Sequence, residues 1–264
     1  MKLAVSERSP LPNSAHARRQ ILGMIDRKEL RPLLECNGVY RVIVPFASLL
    51  PCPDEFIIQE CCPTSFLAYS NALFYHGLTF EIPSSLSFVI ASDSSLIPIG
   101  TSADDWTDIP RPPRRKPATI NDRNIHWHQL RGSDMPGVSI GFAEGLPIYI
   151  TDLERTLIDA LRFPESCGGV VMVLEAWRRA TDRLDIKRLV EYASAFDKKL
   201  MYQRLGFILE ELGFSHPSLN EWAKSPSRGS SAKLVASREF SSTYSERWCL
   251  SINVTPSEIA ALKE

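Results

Sequence analysis

The chain lacks a membrane-length apolar run, a large net charge and a recognisable cysteine motif, and each absence excludes something. No stretch approaches the roughly 20 consecutive apolar residues of a bilayer span. The run Val39–Leu50 is interrupted by Arg41 and Pro45. Met1–Pro12 carries charges and prolines but no apolar segment, so the sequence predicts no secretory signal and a cytoplasmic protein. The six cysteines (Cys36, Cys52, Cys61, Cys62, Cys167, Cys249) contain no Cys-x-x-Cys pair and no zinc spacing. Reduced structural thiols are expected, with no metal site. There is no glycine-rich phosphate loop, because Gly168-Gly169 has neither the lysine nor the spacing of one. No Ser/His/Asp ordering and no internal repeat is visible, and no cofactor is expected.

What is present is an ordinary globular composition. Of 264 residues, 44% are apolar and 23% charged, enough for a core without disulfide staples. The net charge of −1 hides two basic segments. Residues 1–31 hold Lys2, Arg8, Arg18, Arg19, Arg27, Lys28 and Arg31 against Glu7, Asp26 and Glu29. Residues 111–131 hold Arg111, Arg114, Arg115, Lys116, Arg123 and Arg131 against Asp122. Such clusters suit phosphate contacts. Charge alone favours the plainer reading of solvated surface.

Periodicity gives mixed helices and strands, an α/β fold of the α+β kind, and the length allows one large domain or two modest ones. Asn13 or Ser14 can cap a helix starting near Ala15, with Ile21, Leu22 and Ile25 as a narrow apolar stripe and the arginines mostly off it. Asn37-Gly38 signals a turn into the β-rich run Val39–Val44. Phe46–Asp54 reads as a loop. Thr64 or Ser65 starts a short helix through Tyr75. Strands are expected at Leu86–Ala91, Ile125–Leu130, Val138–Phe142, Leu146–Ile150 and Arg247–Asn253. A long loop spans 92–119, and another covers Pro226–Ser231. Thr151 and Glu154 have capping-box spacing ahead of a helix with Leu153, Leu157, Ile158 and Leu161 on one face. Further helices follow at about Val170–Ala180, Asp185–Ala195 and Lys198–Leu212, with Gly213 closing the last.

Several stretches together resemble the AbiEi antitoxin family. They are Gly38-Val39-Tyr40-Arg41; Ser70-Asn71-Ala72-Leu73 into His76-Gly77-Leu78-Thr79 and Ile82-Pro83; Gly145-Leu146-Pro147-Ile148 into Asp152–Asp159; Arg204-Leu205-Gly206 with Leu212-Gly213; and Trp248 to Asn253. Their order over roughly residues 14–254 carries the likeness. The resemblance implies an N-terminal winged helix-turn-helix over residues 1–50 that binds double-stranded promoter DNA, and a larger mixed α/β domain over residues 55–264 with the antitoxin activity. It also implies a nucleotidyltransferase-like toxin as functional partner in a type IV, abortive-infection system, without required contact. Pro10 and Pro12 leave little room ahead of the first helix for two more, so the winged helix is expected to be partial. A lone helix with a wing cannot bury its own stripe and should dock on the larger domain.

Read this way, the DNA-contacting residues are Arg18, Arg19, Arg27, Lys28 and Arg41, as phosphate contacts or readers of guanine edges. The protein is then a regulator and antitoxin, not an enzyme. The competing class is a metal-dependent nuclease or phosphodiesterase using Glu154 and Asp159. Those acids lie about 140° apart on a helix and share no face well. A capping role for Glu154 and pairing of Asp159 with Arg155 or Arg162 is the structural account. A third option is an antitoxin that grips its toxin directly. His76 reads as a cation-friendly helix end. His126 and His128 read as a neutral surface pair sharing one side of a strand.

Overall fold

The computed structural model describes residues 14–43, 52–91, 96–107, 112–130, 136–224 and 232–262. In chain order, a helix α1 (Ser14–Asp26) leads into a small hairpin of β1 (Leu30–Pro32) and β2 (Tyr40–Val42). Then come α2 (Asp54–Cys61), β3 (Ser65–Leu67), α3 (Tyr69–Tyr75), β4 (Leu86–Ala91), β5 (Thr119–Ile120), β6 (Arg123–Leu130), β7 (Val138–Ala143) and β8 (Leu146–Thr151). The remainder is largely helical: α4 (Leu153–Arg162), α5 (Val170–Ala180), α6 (Ile186–Phe196), α7 (Lys199–Glu211) and α8 (Pro217–Lys224). A short ladder of β9 (Tyr244–Ser245) with β10 (Leu250–Ser251) and a last helix α9 (Pro256–Ala260) complete the α+β fold.

The main sheet has the order β5-β6-β4-β3-β8-β7. It mixes parallel pairs, β4 with β6 and β3 with β8, and antiparallel ones. Alternation along the strands sorts two cores. Leu67 lies opposite Phe88 and Ile150, and all three pack with Ile57 and Ile58 of α2. Phe66 and its partner Val89 face the other way, into the helical core of Leu157, Leu174, Trp177 and Leu205. Burying each such side chain contributes about 1.5–3 kcal/mol. At Gly206 on α7 the Trp248 ring lies where a Cβ would stand, so only glycine lets the two approach.

Several local expectations change. Ser65–Leu67 is a strand, not the start of a helix, because these three residues fill the gap between β4 and β8. The helix through Tyr75 begins only at Tyr69; of the expected loop Phe46–Asp54, residues 46–51 lie outside the described residues, and Asp54 already opens α2. The cap of α4 is Asp152, whose side chain accepts from the Arg155 backbone. Thr151 instead bonds the Thr156 hydroxyl, so the expected capping box is absent there; one forms at Thr255 and Glu258. Within Arg247–Asn253 only Leu250–Ser251 is strand, although Trp248, Leu250 and Ile252 are buried as alternation requires. The cap residue Asn13 and the loop Pro226–Ser231 lie outside the described residues.

Candidate nucleic-acid interface

Charge on α1 is presented rather than neutralised. Arg18 and Arg19 are exposed, and neither makes an ion pair or side-chain hydrogen bond among the described residues. At 100° per residue, Arg18 shares a face with Leu22, four positions on, while Arg19 lies a quarter-turn round. Arg18 is therefore on the apolar stripe and not off it. Leu22 is 52% exposed. The helix ends with Lys28 in the left-handed region at φ 61, where its N–H bonds the Ile25 carbonyl. Glycine is the usual residue in that position. A lysine kept there places a cation on the turn between helix and hairpin. Arg27 donates to both Glu29 carboxylate oxygens, at 2.7 and 2.9 Å. Their hydrogen bonds hold Glu29 below its ordinary pKa. Of the five cations expected to meet DNA, Arg27 is the one already engaged.

The hairpin adds a residue that the sequence reading left out. Arg31 on β1 lies directly opposite Arg41 on β2. Both are exposed, and neither has an acidic partner among the described residues. Like charges set across a ladder oppose its formation. Two guanidiniums held together in that way form a ready seat for an anion such as phosphate. Arg31 was overlooked because Leu30-Arg31-Pro32 has no strand pattern and includes proline. The available signal was the strand at 39–44 itself, which needed a partner.

Docking on the body uses the hairpin loop, not the helix stripe. Cys36 is buried, and Leu33 packs against the core beneath α2. Ile21 and Ile25 stay partly exposed. Gly38, at φ +82, lies under the Arg115 guanidinium, with 2.9 Å between Nη2 and the point a Cβ would take. The Arg115 backbone N–H bonds the Cys61 carbonyl. An open cleft of about 390 Å³ runs between the loop residues Glu35–Gly38 and the Arg115–Pro117 segment. Part of the second basic segment thus adjoins the hairpin loop that follows the first. Two of its other members serve the fold: Arg114 donates to the Ala91 carbonyl, and Arg123 pairs with Asp54 at 3.2 Å and Glu55 at 3.8 Å, while Arg111 and Arg131 lie outside the described residues.

The two acids weighed as a catalytic pair are turned inward. Asp159 is fully buried, bonded to Arg155 at 2.7 Å and to Arg162 at 3.5 Å. This is the pairing expected from the sequence. Glu154, also buried, accepts from the Asp185 N–H at 2.9 Å and meets Arg188 at 3.5 Å, in place of the expected cap. The two carboxylates do not form a shared site. Among the described residues no group of three or more His, Cys, Asp or Glu side chains is placed to hold a metal ion. His76 is not a cation site: burial lowers its pKa, and its Nε2–H donates to the Thr151 carbonyl at 2.7 Å. His126 is exposed, but His128 is half-buried with its ring 4.4 Å from that of Tyr69, so the pair is not wholly a surface one.

No helix among the described residues is long and apolar enough to cross a membrane. No family model matches the chain, and no curated protein matches it. Among solved structures it is similar to the RV2827C protein from Mycobacterium tuberculosis, at 11% sequence identity and a TM-score of 0.55. That likeness covers 94% of this chain and 83% of the other. At such identity it concerns architecture alone, and the shared architecture is the mixed α+β arrangement just described.

Proposed function

We propose that this chain is a DNA-binding antitoxin of the AbiEi kind. In this reading it represses its own operon and counteracts a nucleotidyltransferase-like toxin without catalytic chemistry of its own. The observation that carries the DNA part is the opposition of Arg31 and Arg41 on an exposed hairpin. Two facing guanidiniums without an acidic partner gain most when a phosphate sits between or over them. Arg18, Arg19 and Lys28 extend the same basic character along the helix and its turn. Arg27 stays with Glu29 until phosphate competes for it.

The antitoxin part rests on the ordered set of sequence features that resemble that family, and on a body whose most buried acids are committed to arginines. Co-expression with the adjacent nucleotidyltransferase-like gene tests it: growth is restored by this chain and not by the toxin alone. An electrophoretic shift with duplex from the upstream promoter tests the DNA part. The Arg31→Ala/Arg41→Ala variant is expected to lose the shift at moderate salt while keeping its circular dichroism. A normal shift from that variant would remove the hairpin from the interface.

A further inference from the structure

Arg115 and Lys116 stand beside the hairpin with no acid paired to them. They line the open cleft of about 390 Å³ and face the loop residues Glu35, Asn37 and Gly38 across it. Arg115 is half-buried and Lys116 exposed, and neither makes an ion pair or side-chain hydrogen bond among the described residues. Both walls of the cleft are fixed. The Arg115 N–H donates to the Cys61 carbonyl at 3.1 Å, and the Pro117 carbonyl accepts from the Trp127 indole at 2.8 Å. Across the gap, the Val39 N–H closes the loop on the Cys36 carbonyl at 3.1 Å, and Cys36 itself is buried. The Arg115 guanidinium lies over Gly38, whose missing Cβ leaves room for it.

We propose that Arg115 and Lys116 form a second phosphate-binding site, on the body, for the same duplex that the hairpin holds. This rests on the DNA reading of the helix and hairpin and extends the interface beyond them. Gly38, beneath Arg115, is three residues from Arg41, so their Cα atoms are at most about 11 Å apart. Phosphates along one strand advance by about 3.4 Å of helix axis each. A duplex held at Arg31 and Arg41 therefore brings further phosphates within that span.

The chemistry of the two side chains suits that ligand. A guanidinium offers parallel N–H donors to phosphate oxygens, and an ammonium beside it adds a point charge. Walls held from both sides leave little to order on binding, so more of the attraction appears as affinity. The cleft is open, which fits a phosphate carried on a strand that passes over it. Glu35 alone among the lining residues is acidic, and it opposes an anion there. Because Arg115 belongs to the body and packs on the hairpin loop, a phosphate held at this point ties both parts to the duplex.

The test is duplex affinity over a salt series for the full-length protein carrying Lys116→Gln, Arg115→Gln/Lys116→Gln or Glu35→Gln, beside the parent and Arg31→Ala/Arg41→Ala. The slope of log affinity on log salt is expected to flatten by roughly one in Lys116→Gln and by roughly two in the double variant. Glu35→Gln is expected to tighten binding, most of all at low salt, where like charges are least screened. Lys116 and Glu35 are exposed, so their variants stay folded even if loss of Arg115 unseats the loop. The proposal is overturned if Lys116→Gln keeps the parent's slope and Glu35→Gln its affinity while Arg31→Ala/Arg41→Ala binds more weakly; the hairpin reading then stands without it. A parent that does not bind duplex removes the hairpin reading and this site together. Calorimetric titration with inorganic pyrophosphate separates the two sources of phosphate. Heat that is lost in the double variant, with its duplex slope unchanged, would make the cleft a small-anion site and overturn the proposal.

Discussion

At Asp159 a full negative charge sits in the protein interior, and its two arginines decide what that means. A buried carboxylate is tolerable only when its partners are in place, and removing one partner leaves the rest uncompensated. Arg155 is itself fully buried, bonding the Pro136 carbonyl at 2.8 Å as well as Asp159. Asp159→Ala is therefore expected to lower stability by about 3–5 kcal/mol in urea unfolding. A loss below about 1 kcal/mol would mean that the site relaxes or admits water. His76 gives a second residue-scale expectation. Burial lowers its pKa from the ordinary 6.5, so the unfolded chain binds a proton that the folded one refuses. Stability is then fully present above about pH 6.5 and falls as the pH drops through that value towards the folded-state pKa. His128 is shifted the same way by burial and by His126. Urea midpoints near neutrality and near pH 5.5 should converge partly in His76→Gln. An unchanged gap would assign the pH dependence elsewhere.

Among the elements, the β1–β2 hairpin sets stability against function. Arg31 and Arg41 face each other across a three-residue ladder that would be firmer with opposite charges. Arg41→Glu is expected to raise thermal stability slightly, by about 0.2–1 kcal/mol, while weakening duplex binding. If binding were unaffected, the hairpin would not touch DNA. The same hairpin shows where the sequence could be read and where it could not. Longer segments spoke plainly: β4 falls on the strand read at Leu86–Ala91, and α4 carries Leu157, Ile158 and Leu161 inward. Short elements did not. β1 and β3 have three residues each, too few to display a period, and their strand state comes from neighbours distant in sequence. α2 follows a proline-rich stretch and begins at Pro53-Asp54 without a side-chain cap, so its start carried no local signal. For the candidate site, charge clustering pointed to Arg18, Arg19 and Lys28, and the wing reading added Arg41. Clustering also counted Arg31, but the assignment of contacts to helix and wing left it out, and charge alone could not show that Arg27 is held by Glu29.

Over the whole molecule, the near-neutral charge conceals an uneven distribution that the fold preserves. The basic helix and hairpin keep their arginines exposed, Cys36 alone of the hairpin loop is buried, and the most buried acids of α4 are paired with arginines. The account accordingly depends on counterion release from duplex phosphate. The direct measurement is the affinity of the reduced, full-length protein for its upstream promoter duplex across a salt series, beside the Arg31→Ala/Arg41→Ala variant. The predicted result is a linear fall of log affinity with log salt, with a slope of about −0.9 per phosphate contacted, flattened by roughly one for each arginine removed. Contradiction would be a folded protein that does not bind duplex at low salt, or a variant whose slope and affinity match those of the parent.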